Sequence, residues 1–344
     1  MLHPLRELPD PANTVSLAAA LADYAARYTV DSDCAIQTAR HCLIDALGRG
    51  FEALRDPECA PLIGPLVPGA VMPGGARVPG TSLELDPAQA AFCTGLMLCR
   101  SASGCHWLST LGGCVADPLA AILPVADYQA RKATMEGKAP LTVRDVLAAI
   151  VKAVEIQGLR AREELNEPAM GGTASIRFAR AAAAAIATAQ LGGTASQIVT
   201  ALSYACIEGG MTVNFDERAP AGRTSLARAD AASRAVRHAC QAMAAGSSYL
   251  TSADLGAADL AGAALGARPG VPNKPLRTEV IDRLAGTRTA EQVAELTSRF
   301  RAAVERYFPD RQAERIKALF AAPERLDDLP VNELLAALVT NGAR

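Results

Sequence analysis

Apolar residues recur with a helical period along most of this chain. A first segment runs from Val15 to Tyr28, and a second from Ala35 to Ala53 places Leu43, Ile44 and Leu47 on one face. Further segments of the same kind follow, and they run from Val146 to Ile156, Ile176 to Leu191, Ala195 to Glu208, Leu226 to Ala245, Thr289 to Phe308 and Asp310 to Phe320. The pattern predicts a mostly α protein built as one helical bundle.

Polar and glycine residues mark where several of these helices begin and end. Asp86-Pro87 and Asp117-Pro118 each offer a capping side chain followed by a proline at the first helical position. Thr142 with Asp145 resembles a capping box before the next helix, which Gly158 would end. Gly192-Gly193 is a matching stop signal for the segment that reaches Leu191.

Two stretches depart from the helical pattern. Apolar residues alternate from Gly69 to Leu85 around Pro73-Gly74-Gly75, which predicts a short β-hairpin. From Ser247 to Pro275 the composition shifts to Gly, Ala, Ser, Pro and Asp, which indicates a linker or a weakly ordered excursion. This second stretch is the best candidate for a domain boundary.

Composition narrows the class of protein. Hydrophobic residues make up 50% of the chain but aromatic residues only 4%, and alanine runs such as Ala181 to Ala185 favour closely packed helices over strands. The net charge of −2 comes from interspersed charges, so no basic stripe is available for nucleic acid. No apolar run reaches the roughly 20 residues that span a bilayer, and the N-terminal residues lack the apolar core of a signal peptide. We therefore expect a cytoplasmic protein with no membrane or nucleic-acid partner.

The nine cysteines are scattered without the spacing of a disulfide framework, which suggests reduced thiols in a reducing compartment. Cys99, Cys105, His106 and Cys114 lie close together in sequence and could form a soft-metal site, yet their spacing matches no C-x-x-C framework. A nucleophilic pair of Cys105 or Cys114 with His106 is a second alternative. Ordinary loop and core thiols are the third, and we expect no metal and no cofactor.

Several blocks of the chain, in a fixed order, resemble one known family. They are GAVMPGGARVPGTSLELDPAQAAF from Gly69, CHWLSTLGGCVADPLAAILPVAD from Cys105, HCLIDALGRGFEAL, APLTVRDVLAAIVKAVEIQG, DAASRAVRHA, YFPDRQAERI and LPVNELL. Together they resemble the MmgE/PrpD family, and specifically the 2-methylcitrate dehydratases of propionate breakdown. The resemblance covers most of residues 10–250 and again about 290–340.

The resemblance also implies a domain organisation. Family members carry a second α+β domain that closes the active-site cleft, and here the corresponding space holds only the Gly/Ala/Pro-rich stretch. We expect a helical domain at residues 10–248, a linker at 249–288 in place of the lid domain, and C-terminal helices at 289–344 that pack back on the helical domain. Because family members form homodimers through the helical domain, we expect a homodimer, or a heterodimer with a full-length family member.

The resemblance assigns catalytic positions, and most of them carry other residues here. Where the family places acidic, amide, histidine and lysine groups, this chain has Ala102, Gly104, Cys105, Cys114, Gly172 and Thr224. Trp107, Asp117 and Arg223 match the family pattern, although Asp117 is also explained as a helix cap. The candidate catalytic residues are therefore Cys105, His106, Cys114 and Asp117, and the candidate substrate-binding residues are Trp107, Arg223, Thr224 and Ser225.

These replacements lead to competing functional hypotheses. The first is a catalytically degenerate paralogue of 2-methylcitrate dehydratase, a pseudoenzyme that acts by binding a partner or an acidic metabolite. The alternative is an active lyase or isomerase on a small carboxylic acid, with a rebuilt Cys/His/Asp site. A third is a protein that maintains only its fold.

Overall fold

The computed structural model describes residues 17–100, 114–158, 173–207, 221–245, 277–286 and 289–340. Its helices are α1 Leu17–Arg27, α2 Asp33–Ala53, α3 Pro87–Leu98, α4 Ala116–Met135, α5 Val143–Gln157, α6 Thr173–Gln190, α7 Ala195–Ile207, α8 Ala221–Ala245, α9 Glu279–Gly286, α10 Ala290–Tyr307, α11 Asp310–Phe320, α12 Pro323–Asp327 and α13 Val331–Ala337. A short 3-10 helix, Ala60–Leu62, and the strands β1 Ala76–Arg77 and β2 Glu84–Leu85 separate α2 from α3. The prediction of a mostly α fold with one hairpin is confirmed.

Most of the predicted helix signals act as expected. The Asp86 side chain accepts hydrogen bonds from the backbone N–H groups of Ala88 and Gln89, directly before Pro87. Thr142 and Asp145 form the reciprocal capping box, and Gly158 is the C-cap of the same helix. These local signals are strong because each one satisfies backbone groups that a helix end leaves without an intrahelical partner.

The predicted hairpin is present but short. Ala76 pairs with Leu85 and Arg77 with Glu84 in an antiparallel ladder of two residues per strand. Gly74 has a φ of 77°, a conformation that glycine adopts without steric cost. The Glu84 carboxylate closes the turn by accepting the Gly74 N–H at 2.9 Å, and it also binds Arg131 of α4 at 2.8 Å. Ionic contacts, more than strand length, therefore attach the hairpin to the bundle.

A buried carboxylate, Asp127 on α4, lies beneath the hairpin. Its Oδ2 accepts the backbone N–H of Arg77 at 2.8 Å, and its Oδ1 lies 3.6 Å from the Arg77 guanidinium. Burial raises the pKa of Asp127 from its ordinary value of 3.8 to about 6, although Arg77 and Arg131 oppose the change. Ionisation of Asp127 therefore costs more free energy in the folded protein than in the unfolded chain.

Helices α3 and α8 approach each other closely at Gly95. A Cβ atom added there would lie 2.8 Å from the Cα of Ala229 and 3.4 Å from the Cβ of Ala120. The neighbouring core consists mainly of alanines, and its buried members include Ala91, Ala121, Ala183, Ala184, Ala187, Ala201, Ala205, Ala232, Ala235, Ala239 and Ala242. The low aromatic content of the chain thus reflects helix axes that are too close to admit larger side chains.

The C-terminal helices pack against the start of the chain. Helix α10 lies on α2, where Phe300 contacts the ring of Phe51 at a centroid distance of 6.4 Å. Helix α9 lies within the range predicted as linker, 249–288, and its Val280 and Ile281 are buried. Their N–H groups donate to the Glu155 carboxylate of α5 at 2.7 and 2.9 Å. The proposed division into three segments stays a prediction, with this helix as an ordered element inside the second.

Within the described residues, no helix combines the length and the apolar character needed to cross a bilayer. The seven cysteines at positions 34, 42, 59, 93, 99, 206 and 240 are not disulfide-bonded, as the sequence suggested. Cys114 is disulfide-bonded, and the expectation of reduced thiols was wrong for this residue. The spacing of cysteines in the sequence gives no information about which thiols the fold brings together.

We expect Gly95→Val to lower the free energy of unfolding by about 2 kcal/mol or more, because the new side chain meets the backbone of α8 rather than a movable side chain. Urea unfolding followed by circular dichroism measures this change. Gly64→Ala is the matched control, since a Cβ at Gly64 meets nothing within 4 Å, and its effect should stay within about 0.5 kcal/mol. Equal stability of the two variants would contradict close packing of α3 on α8.

Asp127 should make stability fall as the pH rises through the mildly acidic range. A carboxyl group whose pKa is raised by folding binds its proton more tightly in the folded chain, so its contribution is complete below about pH 4 and is lost as the pH passes the folded value of about 6. Relative to Asp127→Asn, the wild-type protein should lose up to about 3 kcal/mol between pH 4 and pH 7.

Urea unfolding of both proteins at several pH values in that interval tests this expectation. Asn keeps a carbonyl oxygen for the Arg77 N–H but does not titrate, so any constant difference between the proteins cancels in the comparison of slopes. Parallel stability curves would show that Asp127 titrates as an ordinary carboxylate.

Candidate functional site

Six helix ends meet at one end of the bundle. They flank residues 101–113, 159–172 and 208–220, which lie outside the described part of the chain. Hydrogen bonds join these ends. They link Cys99 with Asp117, Gln157 with Cys114, Arg180 with Ala205, and Arg228 with Asp117. The three segments between the helices therefore start and finish around a common centre.

Asp117 lies at this centre, in the first turn of α4. It was expected to cap the helix, but the N-cap is Val115 and no side chain caps this end. The Asp117 carboxylate instead turns inward, where its Oδ1 accepts from Arg228 Nη1 at 3.1 Å and from the Cys99 thiol at 3.3 Å. The prediction that Asp117 caps the helix was wrong. The sequence shows a suitable capping residue before a proline, but it does not show that Arg228 of a distant helix binds the same carboxylate.

Arg228 is the residue of this site that the sequence did not reveal. It lies on α8, four residues after Thr224 and three after Ser225, so all three belong to one stretch of the same helix face. Its side chain is 18% exposed, against 5% for that of Asp117. One of four arginines in an alanine-rich amphipathic helix looks like part of the solvated face, and only the helical spacing of Arg228 from the predicted residues could have drawn attention to it.

Burial dominates the electrostatics of this group. It raises the pKa of Asp117 above 3.8, while the Arg228 guanidinium acts in the opposite direction. Burial also raises the pKa of the Cys99 thiol well above 9.0, and the neighbouring Asp117 charge adds to that change. In turn the Asp117 charge raises the pKa of Arg228. Cys99 is accordingly a protonated hydrogen-bond donor and not a thiolate nucleophile.

Two polar atoms of the pair have no hydrogen-bond partner within the described residues. They are Oδ2 of Asp117, an acceptor, and Nε of Arg228, a donor, and both are shielded from solvent. Beside them lies a narrow crevice that leaves no room for a water-sized molecule, and its other walls include Ile176, Ala179 and Ala183. Since buried polar atoms are normally hydrogen-bonded, these two atoms are unusual and mark this end of the bundle as a candidate site.

The remaining predicted site residues are distributed around this centre. Cys114 is buried and precedes α4, and its carbonyl accepts from Gln157 Nε2 at 3.4 Å. On α8, Thr224 is half-buried and Ser225 is buried, which places them one turn before Arg228. Arg223 belongs to the first turn of α8, with its side chain outside the described part. The structure thus brings Cys114, Asp117 and the start of α8 to the same end of the bundle.

Three predicted residues, Cys105, His106 and Trp107, lie outside the described residues. The metal hypothesis and the pairing of Cys105 with His106 depend on these residues and stay predictions. The pairing of Cys114 with His106 was wrong, because Cys114 is disulfide-bonded and offers no thiol nucleophile. Within the described ranges, no group of three or more His, Cys, Asp or Glu side chains is arranged to hold a metal ion.

Arg228→Met should destabilise the protein by about 3–5 kcal/mol, because it leaves the buried Asp117 carboxylate without its counter-charge. The double variant Asp117→Asn with Arg228→Met removes both charges and should recover a large part of that loss. Urea unfolding of the wild type, both single variants and the double variant gives the coupling energy between the two residues. Additive effects of the two single changes would show that the ion pair contributes nothing to the fold.

Comparison with known proteins places this site within a family. The family model described as the MmgE/PrpD N-terminal domain matches residues 19–268, which include Asp117 and Arg228. The 2-methylcitrate dehydratase of Cupriavidus necator is 42% identical over 235 residues, covering 68% of this chain and 48% of the relative. That of Escherichia coli (strain K12) is 42% identical over 223 residues, covering 64% and 46% of the two chains.

A eukaryotic relative gives the same result. The mitochondrial 2-methylcitrate dehydratase of Yarrowia lipolytica is 39% identical over 228 residues, which cover 65% of this chain and 43% of the relative. The chain spans about half the length of the curated relatives it matches. A mostly helical fold, the matched family model and the agreement with these relatives lead to one conclusion, which is that the chain belongs to the MmgE/PrpD family.

Proposed function

We propose that this member of the family is a 2-methylcitrate dehydratase-like protein that binds an acidic metabolite or a protein partner without catalysing dehydration. The observation that carries the proposal is the state of Asp117. Its carboxylate is buried, with Arg228 and the Cys99 thiol both bound to Oδ1. A carboxylate held in this way is a structural anchor for a cation and is poorly placed to exchange protons with a substrate.

The requirements of the reaction support this reading. Dehydration of a hydroxy acid needs a base for the C–H proton, an acid for the leaving hydroxyl, and cationic or hydrogen-bonding groups for the carboxylates. Ala102, Gly104 and Gly172 cannot supply any of these functions with a side chain. Loss of one acid/base or electrostatic group typically lowers the rate about a hundredfold or more, and several such positions are changed together.

A second candidate function is a lyase or isomerase that acts on a small carboxylic acid through His106 and Asp117, with Cys105 and Cys114 taking part only as reduced thiols. One observation favours it. Burial raises the pKa of Asp117, and its Oδ2 has no hydrogen-bond partner among the described residues. A buried carboxyl group with a perturbed pKa is a common feature of active sites as well as of structural ion pairs.

The family resemblance suggests the oligomeric state as well. We propose that the helical domain forms a homodimer, or a heterodimer with a full-length family member, and that this association persists without catalysis. Sedimentation equilibrium of the purified chain, alone and with a full-length relative, measures both possibilities.

Binding without turnover is the expected result for the purified protein. Isothermal titration calorimetry with 2-methylcitrate, citrate and cis-aconitate should give a measurable dissociation constant for at least one acid. The ultraviolet absorbance of the unsaturated product should not rise above the rate of a buffer blank, because the acid and base groups are replaced. The 2-methylcitrate dehydratase of Escherichia coli, assayed in the same cell, is the positive control.

Product formation within a hundredfold of that control would overturn the proposal. In that event His106→Ala and Cys114→Ser test the rebuilt site, because that site should lose its turnover in both variants. An activity that survives both changes would instead locate the chemistry elsewhere.

A further inference from the structure

A groove lies between helices α11 and α13. Helix α11 packs on α10 and α12, whereas α13 packs mainly on α4, so each helix is held by different neighbours and a gap remains between them. Gln312 of α11 spans this gap and donates from Nε2 to the carbonyl groups of Ala337 and Val339 at 2.9 and 2.7 Å. The two helices therefore enclose a solvent-accessible cavity of ≈ 600 Å³.

The volume of this groove is that of a ligand site. Pockets that hold small molecules in proteins measure about 300–1,000 Å³. The crevice beside Asp117 and Arg228, by contrast, leaves no room for a water-sized molecule, and it shares no lining residue with the groove. A ligand bound between α11 and α13 would therefore occupy a separate part of the surface.

Two arginines give the α11 side of the groove a cationic wall. Arg311 and Arg315 are four residues apart, so they lie on one face of the helix, and both line the groove. Both are exposed, and neither forms an ion pair with a carboxylate among the described residues. Glu314, which is next to Arg315 in sequence, pairs with Lys317 at 2.7 Å instead. The planar donors of both guanidinium groups therefore stay available for an anion.

Most of the remaining lining is apolar. Its apolar members are Pro309, Ala336, Ala337 and Val339. The amide donor of Gln312 is already used to bridge the two helices, and Glu333 of α13 is the acidic residue of the lining. A cationic wall opposite small apolar side chains is complementary to a ligand that has an acid group at one end and an apolar body.

We propose that this groove binds an amphipathic acid, with its carboxylate or phosphate head on Arg311 and Arg315 and its apolar portion against α13. A single exposed ion pair contributes little to affinity, so both guanidinium groups and the covered apolar surface are needed together. This site is additional to the proposed function and does not depend on it, because it involves neither Asp117 nor Arg228.

Isothermal titration calorimetry with matched ligands tests the head and the apolar portion separately. The probes are octanoate, octyl phosphate, acetate and 1-octanol, each below the concentration at which micelles form. At least one of the two octyl acids should have a dissociation constant tenfold or more below those of acetate, which lacks the chain, and 1-octanol, which lacks the charge. The tighter of the two acids identifies the head group.

Substitutions on the two walls should change the affinity in opposite directions. The double variant Arg311→Met with Arg315→Met should raise the dissociation constant of the tighter acid at least tenfold, because it removes both cations and keeps long side chains. Glu333→Gln should lower the constant about twofold, because it removes an anionic group from the lining. These three residues are exposed, so the melting temperature should confirm that each variant is folded.

Arg237→Met is the matched control. Arg237 is also an exposed arginine, but it belongs to α8 and does not line the groove. Its replacement should change the dissociation constant of the same acid by no more than about twofold, which calibrates the loss of one surface charge.

The inference would be overturned by wild-type protein that binds neither octyl acid, or by equal affinity in the wild type and the double arginine variant. Equal affinity for 1-octanol and for the acids would overturn it as well, because the site would then recognise no anion. Each of these results leaves the ultraviolet assay for dehydration unaffected, so the proposed function stands or falls separately.

Discussion

Close contact between helix backbones is the constraint on which this structure depends. At Gly95 the axes of α3 and α8 come so near that a Cβ would lie 2.8 Å from the Cα of Ala229. Alanine fills the adjoining core, so that much of the stabilisation comes from many small contacts instead of from a few large side chains. Such packing tolerates few changes in volume, because the backbone itself is the opposing surface.

This close packing explains how the candidate site acquires its character. Helix α8 packs against α3 and α4, and the small residues between the helices bring the Arg228 guanidinium within reach of Asp117 on α4. The resulting charges are buried, so each one depends on the other for its tolerance by the fold. The site therefore joins α4 to α8 and also holds two buried polar atoms that have no hydrogen-bond partner among the described residues.

Buried carboxylates recur elsewhere in the protein with a different role. Asp127 attaches the hairpin to α4, and Glu155 receives the first N–H groups of α9. In each case the carboxylate accepts backbone N–H groups that have no partner within their own turn or helix end, and it thereby avoids the cost of burying an unpaired donor. Asp117 departs from this use because it binds a side-chain cation and a thiol.

The sequence alone determined the fold class, the family and most helix boundaries. Amphipathic periodicity and the capping residues Asp86, Thr142 and Gly158 act over a few residues, and the local backbone responds in the same way in any tertiary setting. The resemblance to the family likewise directed attention to the start of α4 and the start of α8, which do meet.

Tertiary structure alone decided the pairing of side chains across those elements. The residues next to Asp117 in the sequence do not show whether its carboxylate caps the helix or pairs with Arg228, since Asp117 and Arg228 are 111 positions apart. The order within 249–288 has the same origin, because α9 depends on Glu155 from a distant helix. Periodicity and composition describe a residue's neighbours along the chain, whereas burial, charge pairing and pKa depend on neighbours that only folding brings near.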